Sequence, residues 1–274
     1  MSLDLEGPLV MAGAGKMGGA LVSGWLARGL DPALLQVQDP SPAPEVRALL
    51  DRHGIACAPR IEAIARPPAV ILMAVKPQVM DEVLAPLAAL AGPDTLVLSI
   101  AAGRTIASFE RHLAAGAPVV RAMPNTPAAI GRGITVCVAN AQVTGGARAL
   151  AERLLSAVGE VAWVDREALL DPVTAVSGSG PAYVFLLAEC LETAAIAQGL
   201  DAALARRLAR ATVSGAGELL HRSDLDAAEL RRNVTSPGGT TAAALDVLMG
   251  EGGLERLMGE AVAAATKRGR ELSQ

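Results

Sequence analysis

The sequence predicts an α/β N-terminal domain built on a doubly wound, mostly parallel sheet, followed by an all-α C-terminal dimerisation domain. Three observations support this fold class. Short apolar runs alternate with Ala- and Leu-rich helical stretches up to about residue 165, which is the order of elements in a doubly wound fold. No strand-like run follows that point. A glycine-rich turn lies between the first apolar run and the first helical stretch.

Most of the predicted strands are apolar along nearly their whole length, although residues 35–38 (LQVQ) alternate with glutamines. This pattern is expected for strands of a parallel sheet that are buried on both faces. Aromatic residues make up only 2% of the chain, so the core is expected to consist of Ala, Val and Leu. The predicted strands span residues 9–12, 35–38, 69–75, 96–100, 119–122, 134–138 and 161–164.

The C-terminal half has the pattern of helices only. Gly199 closes the first helix and Asp201 can cap the second. Residues 177–181 predict a flexible joint before the first helix, with Pro181 in its first turn. The predicted helices span residues 181–198, 202–222, 240–249 and 253–272.

These helices have broad apolar faces. A small helical domain with excess apolar surface usually buries that surface against another copy of itself. We therefore predict two domains, residues 1–165 and 166–274, and a homodimer formed through the second.

Composition excludes several classes of function. The formal net charge is −4 and the arginines are scattered, which argues against a nucleic-acid partner. The three cysteines lie far apart and form no metal-type pair, so no metal site is expected and a cytoplasmic location is predicted. The acidic N-terminus lacks the features of a signal peptide. The longest apolar runs are too short to span a bilayer, so no membrane partner is expected.

The glycine-rich turn GAGKMG, which begins at Gly13, fits the phosphates of a dinucleotide. Gly13 allows the tight turn, Gly15 leaves room for the pyrophosphate to contact the backbone, and Gly18 lets the helix pack on the strand. The helix N-terminus offers free N–H groups and a favourable dipole. The turn therefore predicts a Rossmann-type site for NADH or NADPH, with Lys16 and Met17 as further contacts.

Asp39 directly follows the second predicted strand, about two dozen residues after Gly15. A carboxylate at this place accepts a hydrogen bond from the ribose 2′-OH and repels a 2′-phosphate, which favours NADH. The alternative stays open, because Ser41 and Arg47 could receive a phosphate if the turn were displaced. Asp39 could also be only a turn residue before Pro40.

Three other strand ends carry candidate cofactor contacts. Val75 and Lys76 follow a strand, and a cation at the C-terminal edge of such a sheet faces the crevice in which ligands bind; Lys76 could instead be a solvated loop residue. Ala101 lies among small residues that suit a close nicotinamide ribose. Asn125 lies in a rigid turn, where it could bind a ligand or cap its own turn.

A second glycine-rich segment, residues 236–241 (SPGGTT), precedes an apolar helix. The N–H groups and hydroxyls of small residues at a helix N-terminus can hold a small carboxylate. The two glycine-rich segments therefore predict a cofactor site and a substrate site, each built largely from backbone.

Taken together, these segments resemble the pyrroline-5-carboxylate reductase family. The segments at residues 121–127, 177–183 and 233–241 are specific to that family, whereas the segment at residues 13–18 alone is not. The resemblance implies a Rossmann domain and a helical dimerisation domain, with a homodimer or a larger oligomer such as a decamer. The matching segments, in the family's order and spacing, are residues 13–18 (GAGKMG), 74–77 (AVKP), 121–127 (RAMPNTP), 177–183 (SGSGPAY) and 233–241 (NVTSPGGTT).

The resemblance also implies a reaction, the transfer of hydride from NAD(P)H to the cyclic imine 1-pyrroline-5-carboxylate to give L-proline. Thr241 resembles the family position whose hydroxyl hydrogen-bonds the imine nitrogen, so it is the candidate catalytic residue. It could instead be an N-cap or first-turn residue of the following helix. The other candidate substrate contacts are Asn233, Ser236, Gly238, Gly239 and Thr240.

Three other kinds of protein share part of this pattern. The β-hydroxyacid dehydrogenases also join a Rossmann domain to a helical domain, but the pattern of that class includes a catalytic lysine on a central helix. The chain has only Lys16, Lys76 and Lys267, so that lysine is missing. Another imine reductase stays open, because a carboxylate clamp does not fix the size of the ring. A dinucleotide-binding regulator without turnover would not need the second glycine-rich segment.

Overall fold

The computed structural model describes residues 3–272, which form two compact units. The first unit contains the described residues up to Gly178 together with those from Thr266 onwards, and the second runs from Ser179 to Ala265. The predicted domains, residues 1–165 and 166–274, have other limits, and those limits stay a prediction.

The first unit contains an eight-stranded sheet, which confirms the predicted α/β class. Neighbouring strands are parallel except for the sixth and seventh. Every residue of the first, fourth and fifth strands is buried, which explains why these runs are apolar apart from Ser99. The strands are β1 (Leu9–Ala12), β2 (Leu35–Gln38), β3 (Ala56–Ala58), β4 (Val70–Met73), β5 (Leu96–Ser99), β6 (Val119–Met123), β7 (Gly133–Ala139) and β8 (Gly159–Trp163).

The strand order β3-β2-β1-β4-β5-β6-β7-β8 reverses its direction at β1. The chain runs outward from β1 to β2 and β3, and then places β4 on the other side of β1. At such a reversal, the segments that leave the two strands diverge and open a crevice at the carboxyl ends. The glycine-rich turn that follows β1 therefore lies at the place where this class of sheet binds ligands.

Two hydrophobic clusters cover opposite faces of the sheet. Leu9 and Met11 belong to one cluster, and Val10 and Ala12 to the other, because successive side chains of a strand point to opposite faces. Although aromatic residues are few, Trp25 is fully buried and its indole N–H donates to the Leu154 carbonyl over 2.8 Å. The helices of this unit are α1 (Lys16–Ala27), α2 (Pro44–Arg52), α3 (Met80–Ala88), α4 (Ile106–Glu110), α5 (Gly145–Leu155) and α6 (Leu170–Val173).

The second unit is helical, as predicted. Asp201 caps its second helix, where its carboxylate accepts hydrogen bonds from the backbone N–H groups of Ala203 and Leu204. Many large apolar side chains are exposed in the isolated chain, among them Phe185 at 63%. The last helix ends in residues that belong to the first unit. The helices are α7 (Gly180–Ala197), α8 (Ala202–Arg222), α9 (Ala227–Asn233), α10 (Thr240–Leu248) and α11 (Leu254–Leu272).

Three elements differ from the sequence predictions. β3 and α9 were not predicted, because three residues and seven residues are too few to establish a period. The predicted flexible joint at residues 177–181 is helical on both sides of Ser179: Thr174–Gly178 forms a π-helical turn and α7 begins at Gly180. Pro181 lies in the first turn of α7, as predicted.

Candidate active site

The glycine-rich turn after β1 has almost no space for side chains at two of its three glycines. Gly13 has a φ of +96°, and a Cβ there would lie 2.6 Å from the Ala74 carbonyl oxygen. A Cβ on Gly18 would lie 2.7 Å from the Gly13 carbonyl oxygen. These two glycines therefore let the turn pack against the segment after β4 and let α1 pack against the turn, as their spacing predicts.

The third glycine faces open space. A Cβ on Gly15 would meet no atom within 4 Å. Gly15 is the N-cap of α1 and no side chain caps this helix, so the N–H groups of the first turn stay available to an anion. Lys16, the first residue of α1, is exposed. The turn thus fits the pyrophosphate of a dinucleotide, with backbone donors and one cation.

A cleft of about 550 Å³ opens at this turn. It combines the turn after β1, the end of β2, the start of the segment after β3 and the segment after β4. Its volume falls within the range of ligand sites, which runs from roughly 300 to 1,000 Å³. The residues that line it are Gly13, Gly15, Gln38, Asp39, Pro40, Ser41, Pro59, Arg60, Ala74, Val75, Lys76, Val79, Glu82, Val83 and Pro86.

The carboxylate of Asp39 is held by two backbone hydrogen bonds. Its Oδ2 accepts from the N–H of Ala14 over 2.6 Å, and its Oδ1 accepts from the N–H of Ser41 over 2.8 Å. Asp39 therefore fixes the glycine-rich turn to the end of β2. Because each carboxylate oxygen has about two acceptor positions, both oxygens can still accept a hydrogen bond from a ribose hydroxyl.

Six predicted cofactor contacts meet in this cleft and five do not line it. The five others are adjacent to the turn or belong to other strand ends. Ala101 is buried after β5, and its N–H is bonded to the Ser99 hydroxyl. Asn125 uses its Oδ1 to accept from the N–H of Ile134 over 3.0 Å, so this atom holds the start of β7. The residues in the cleft are Gly13, Gly15, Asp39, Ser41, Val75 and Lys76, and those outside its lining are Lys16, Met17, Gly18, Ala101 and Asn125.

Three polar residues of the cleft, Gln38, Arg60 and Glu82, were missed by the sequence analysis. Gln38 ends β2 and is buried, and its side-chain oxygen accepts from the N–H of Ile61 over 2.9 Å. Arg60 follows β3 and is exposed in the cleft. No local signal identified Arg60, because β3 itself was not predicted. Arg47, which was considered for a phosphate, does not line the cleft.

The second glycine-rich segment connects α9 to α10 in the other unit. Asn233 ends α9, and the N–H of Gly239 bonds to the Ser236 carbonyl over 3.0 Å. Gly238 has a φ of +69°, and a Cβ there would meet no atom within 4 Å. The segment is therefore a tight turn with an open side, as a site for a small anion requires.

The turn places Gly239, and not a threonine, at the N-cap of α10. No side chain caps this helix, so the N–H groups of its first turn stay available. Thr240 and Thr241 are the first two helical residues, and Thr241 is half-buried. Thr241 is therefore the second residue of α10 and not its N-cap, and its catalytic role stays a prediction.

Other chemistry is limited by burial and by the side chains available. Burial raises the pKa of the Cys137 thiol to about 12, so this thiol is not a nucleophile near neutral pH. Cys57, Cys137 and Cys190 are all free thiols. Within residues 3–272, no group of three or more His, Cys, Asp or Glu side chains could hold a metal ion.

In the part of the chain that the structure describes, one helical stretch is long and apolar enough to cross a membrane, judged by length and composition alone. It spans Glu167–Ala197, or 31 residues, and so corrects the prediction that every apolar segment is too short. A single helix of this kind is weak evidence for a membrane span. Its exposed apolar side chains also suit a surface that faces another subunit.

A parallel sheet with an uncapped glycine-rich turn at its strand reversal defines the class of dinucleotide-binding proteins. Two family models match the chain. One, described as NADP oxidoreductase coenzyme F420-dependent, matches residues 9–103, and the other, described as pyrroline-5-carboxylate reductase dimerisation, matches residues 167–272. The second match indicates that the chain forms oligomers through its helical part.

Curated relatives and solved structures give the same result. The chain is 41% identical over 266 residues to the pyrroline-5-carboxylate reductase of Pseudomonas aeruginosa, with 97% of each chain covered. It superposes on the Coxiella burnetii enzyme with a TM-score of 0.91 at 35% identity, covering 98% of this chain and 100% of that one. The Plasmodium falciparum pyrroline carboxylate reductase, solved with NADP bound, has a TM-score of 0.81 at 28% identity, covering 98% and 99%. The chain belongs to the pyrroline-5-carboxylate reductase family.

Proposed function

We propose that this protein reduces 1-pyrroline-5-carboxylate to L-proline with NAD(P)H, the last step of proline biosynthesis. The observation that carries this proposal is the 41% identity to a pyrroline-5-carboxylate reductase over 97% of both chains. The two uncapped helix N-termini, each preceded by a glycine-rich turn, support it. They provide separate sites for a pyrophosphate and for a small carboxylate.

Each end of the chain has its own task in this reaction. Bound NAD(P)H supplies the hydride. The turn from Gly13 to Gly18 and the carboxylate of Asp39 hold the dinucleotide, and Lys76 provides a cation in the same cleft. The turn at residues 236–241 binds the substrate carboxylate through backbone N–H groups and the Ser236 hydroxyl, and Asn233 is a further contact.

Thr241 orients the imine. Its hydroxyl hydrogen-bonds the ring nitrogen and so fixes the imine carbon for attack by hydride. A threonine hydroxyl is too weak an acid to supply a proton unaided. An imine that is already protonated in solution does not require this proton, so Thr241 acts as an orienting group and at most relays a proton from solvent.

Replacing Asp39 by serine should shift coenzyme use towards NADPH. The ribose loses a hydrogen bond to a charged acceptor, worth about 1.5–3 kcal/mol, and a 2′-phosphate is no longer repelled. The ratio of kcat/KM for NADPH to that for NADH should rise roughly tenfold. Binding of both coenzymes should also weaken, because Asp39 anchors the Ala14 N–H. Asp51→Ser on α2, at an exposed carboxylate outside the cleft, is the control; an unchanged ratio in Asp39→Ser would remove Asp39 from the 2′ position.

We further propose that the chain forms a homodimer through its helical unit, with a decamer built from five dimers as the larger assembly, in the cytoplasm. The match to the dimerisation model and the exposed apolar side chains of α7 and α8 support the dimer. The free cysteines support a reducing compartment.

The dimer gives a direct test by sedimentation. Phe185 is 63% exposed in the isolated chain, and a buried carboxylate at this position would be strongly unfavourable in an apolar interface. Phe185→Glu should therefore reduce the mass from at least two chains to one chain of 27.8 kDa, whereas Ala48→Glu on the exposed surface of α2 should not. An oligomer that survives Phe185→Glu would place the interface elsewhere.

The proposed reaction is tested by mixing the purified protein with 1-pyrroline-5-carboxylate and following the oxidation of NADH and NADPH in parallel. Rapid oxidation that requires the imine is expected. Cofactor binding without oxidation would indicate that the substrate is another imine, or that the protein is a regulator without turnover.

A further inference from the structure

The cleft at the glycine-rich turn contains a cation, Arg60, near the carboxyl ends of β2 and β3. The proposed function gives this residue no role. The charged residues that line the cleft are Asp39, Arg60, Lys76 and Glu82. Lys76 follows β4, and Arg60 follows β3. The two cations therefore lie towards opposite sides of β1 in the strand order.

The backbone around Arg60 is fixed on both sides. The N–H of Asp39 donates to the Ala58 carbonyl over 2.9 Å. The N–H of Ile61 donates to the buried side-chain oxygen of Gln38, also over 2.9 Å. Pro59 further restricts the chain between these bonds. Arg60 is thus held beside Asp39 and Ser41, although it is distant from them in sequence.

This position corresponds to the ribose end of a dinucleotide. In a doubly wound sheet, the acidic residue at the end of β2 meets the adenosine ribose. Asp39 suits a ribose with a free 2′-OH, and it repels a 2′-phosphate. Among residues 3–272, no hydrogen bond or ion pair engages the guanidinium of Arg60, so its donors are available to a ligand. Guanidinium groups bind phosphate through paired hydrogen bonds.

We infer that Arg60 is a specificity-determining residue that binds the 2′-phosphate of NADPH, and that it lets a chain with an acidic Asp39 accept both coenzymes. The inference rests on the proposed use of NAD(P)H. Ser41, in the same part of the cleft, can add a hydroxyl donor to the phosphate. Asp39 and Arg60 then act in opposite directions on coenzyme choice, the first through the 2′-OH and the second through the 2′-phosphate.

Calorimetry with two fragments of the coenzymes tests this without the imine. Adenosine 2′,5′-bisphosphate carries the 2′-phosphate, and 5′-AMP lacks it. Arg60→Gln should weaken the binding of the bisphosphate about tenfold, the loss expected for a hydrogen bond between charged groups, and should leave 5′-AMP binding unchanged. Because exposed ion pairs are screened by salt, the affinity of the wild-type protein for the bisphosphate should also fall more steeply with ionic strength than that of the variant.

Arg66→Gln is the matched control, because Arg66 is an exposed arginine that precedes β4 at the opposite edge of the sheet. It should change neither affinity. Equal weakening of both fragments by Arg60→Gln, or no change in either, would overturn the inference. Turnover of 1-pyrroline-5-carboxylate is measured separately, so the absence of turnover in the wild-type protein would remove the proposed reaction and leave the comparison of the two fragments valid.

Discussion

Thr241→Ala is expected to reduce kcat roughly a hundredfold, the usual effect of removing one oriented donor from a reacting centre. The affinity for NADH should not change, because Thr241 belongs to the first turn of α10 and the coenzyme cleft is lined by other residues. KM for the imine should change less than kcat, since the carboxylate keeps its backbone donors. Steady-state kinetics and coenzyme titration measure these quantities.

Thr241→Ser is the conservative partner of this variant. Serine keeps the hydroxyl and removes only a methyl group, so most of the turnover should return. The melting temperature separates a chemical effect from a structural one, because a half-buried threonine in a helix contributes little to stability. Turnover near that of the wild-type protein in Thr241→Ala would exclude Thr241 from the mechanism.

Gly13→Ala is expected to abolish measurable coenzyme binding and to lower the melting temperature. The new Cβ would lie 2.6 to 2.9 Å from three backbone atoms of Ala74 and Val75, at a φ of +96° that L-residues rarely adopt. Backbone strain of this kind costs about 1–3 kcal/mol, which corresponds to a fall of roughly 2–10 °C for a chain of this size. The segment after β4 would have to move, and this segment lines the cleft.

Gly15→Ala separates the effect on coenzyme binding from the effect on stability. Gly15 has a φ of −76°, and its Cβ would meet no atom within 4 Å, so the melting temperature should stay within about 1 °C of the wild-type value. Coenzyme binding should still weaken, because the methyl group occupies the space in which the pyrophosphate approaches the backbone. Tight coenzyme binding by Gly15→Ala would contradict the placement of the pyrophosphate at this turn.

The parts of the fold that could be predicted from the sequence are those with long, strong patterns. β1 and β2 have the predicted limits. β1 is a continuous apolar run, β2 alternates leucine and valine with glutamines, and turn residues bound both strands. β3 escaped detection because it is an edge strand of three residues whose side chains are not fully buried. The π-helical turn at Thr174–Gly178 was missed because Ser and Gly are typical of loops, whereas here the Thr174 and Ser177 hydroxyls bond to carbonyls four residues earlier.

The residues of the candidate site also fall into two groups, those that could be predicted from the sequence and those that could not. Gly13 and Gly18 could be predicted because their roles depend on backbone geometry that spacing encodes. Arg60 could not, because its place in the cleft depends on the pairing of β2 with β3 and on the hydrogen bond between Gln38 and Ile61. Asn125 lies in a turn, as expected, but bonding of its Oδ1 to the distant Ile134 N–H depends on the position of β7.

The proposed hydride transfer is tested most directly with coenzyme deuterated at both hydride positions of the nicotinamide ring. Purified protein, this coenzyme and 1-pyrroline-5-carboxylate should give proline with one deuterium on the ring carbon that was the imine carbon, as measured by mass spectrometry and NMR. Proline without deuterium, or oxidised coenzyme without proline, would contradict direct reduction of the imine by this protein.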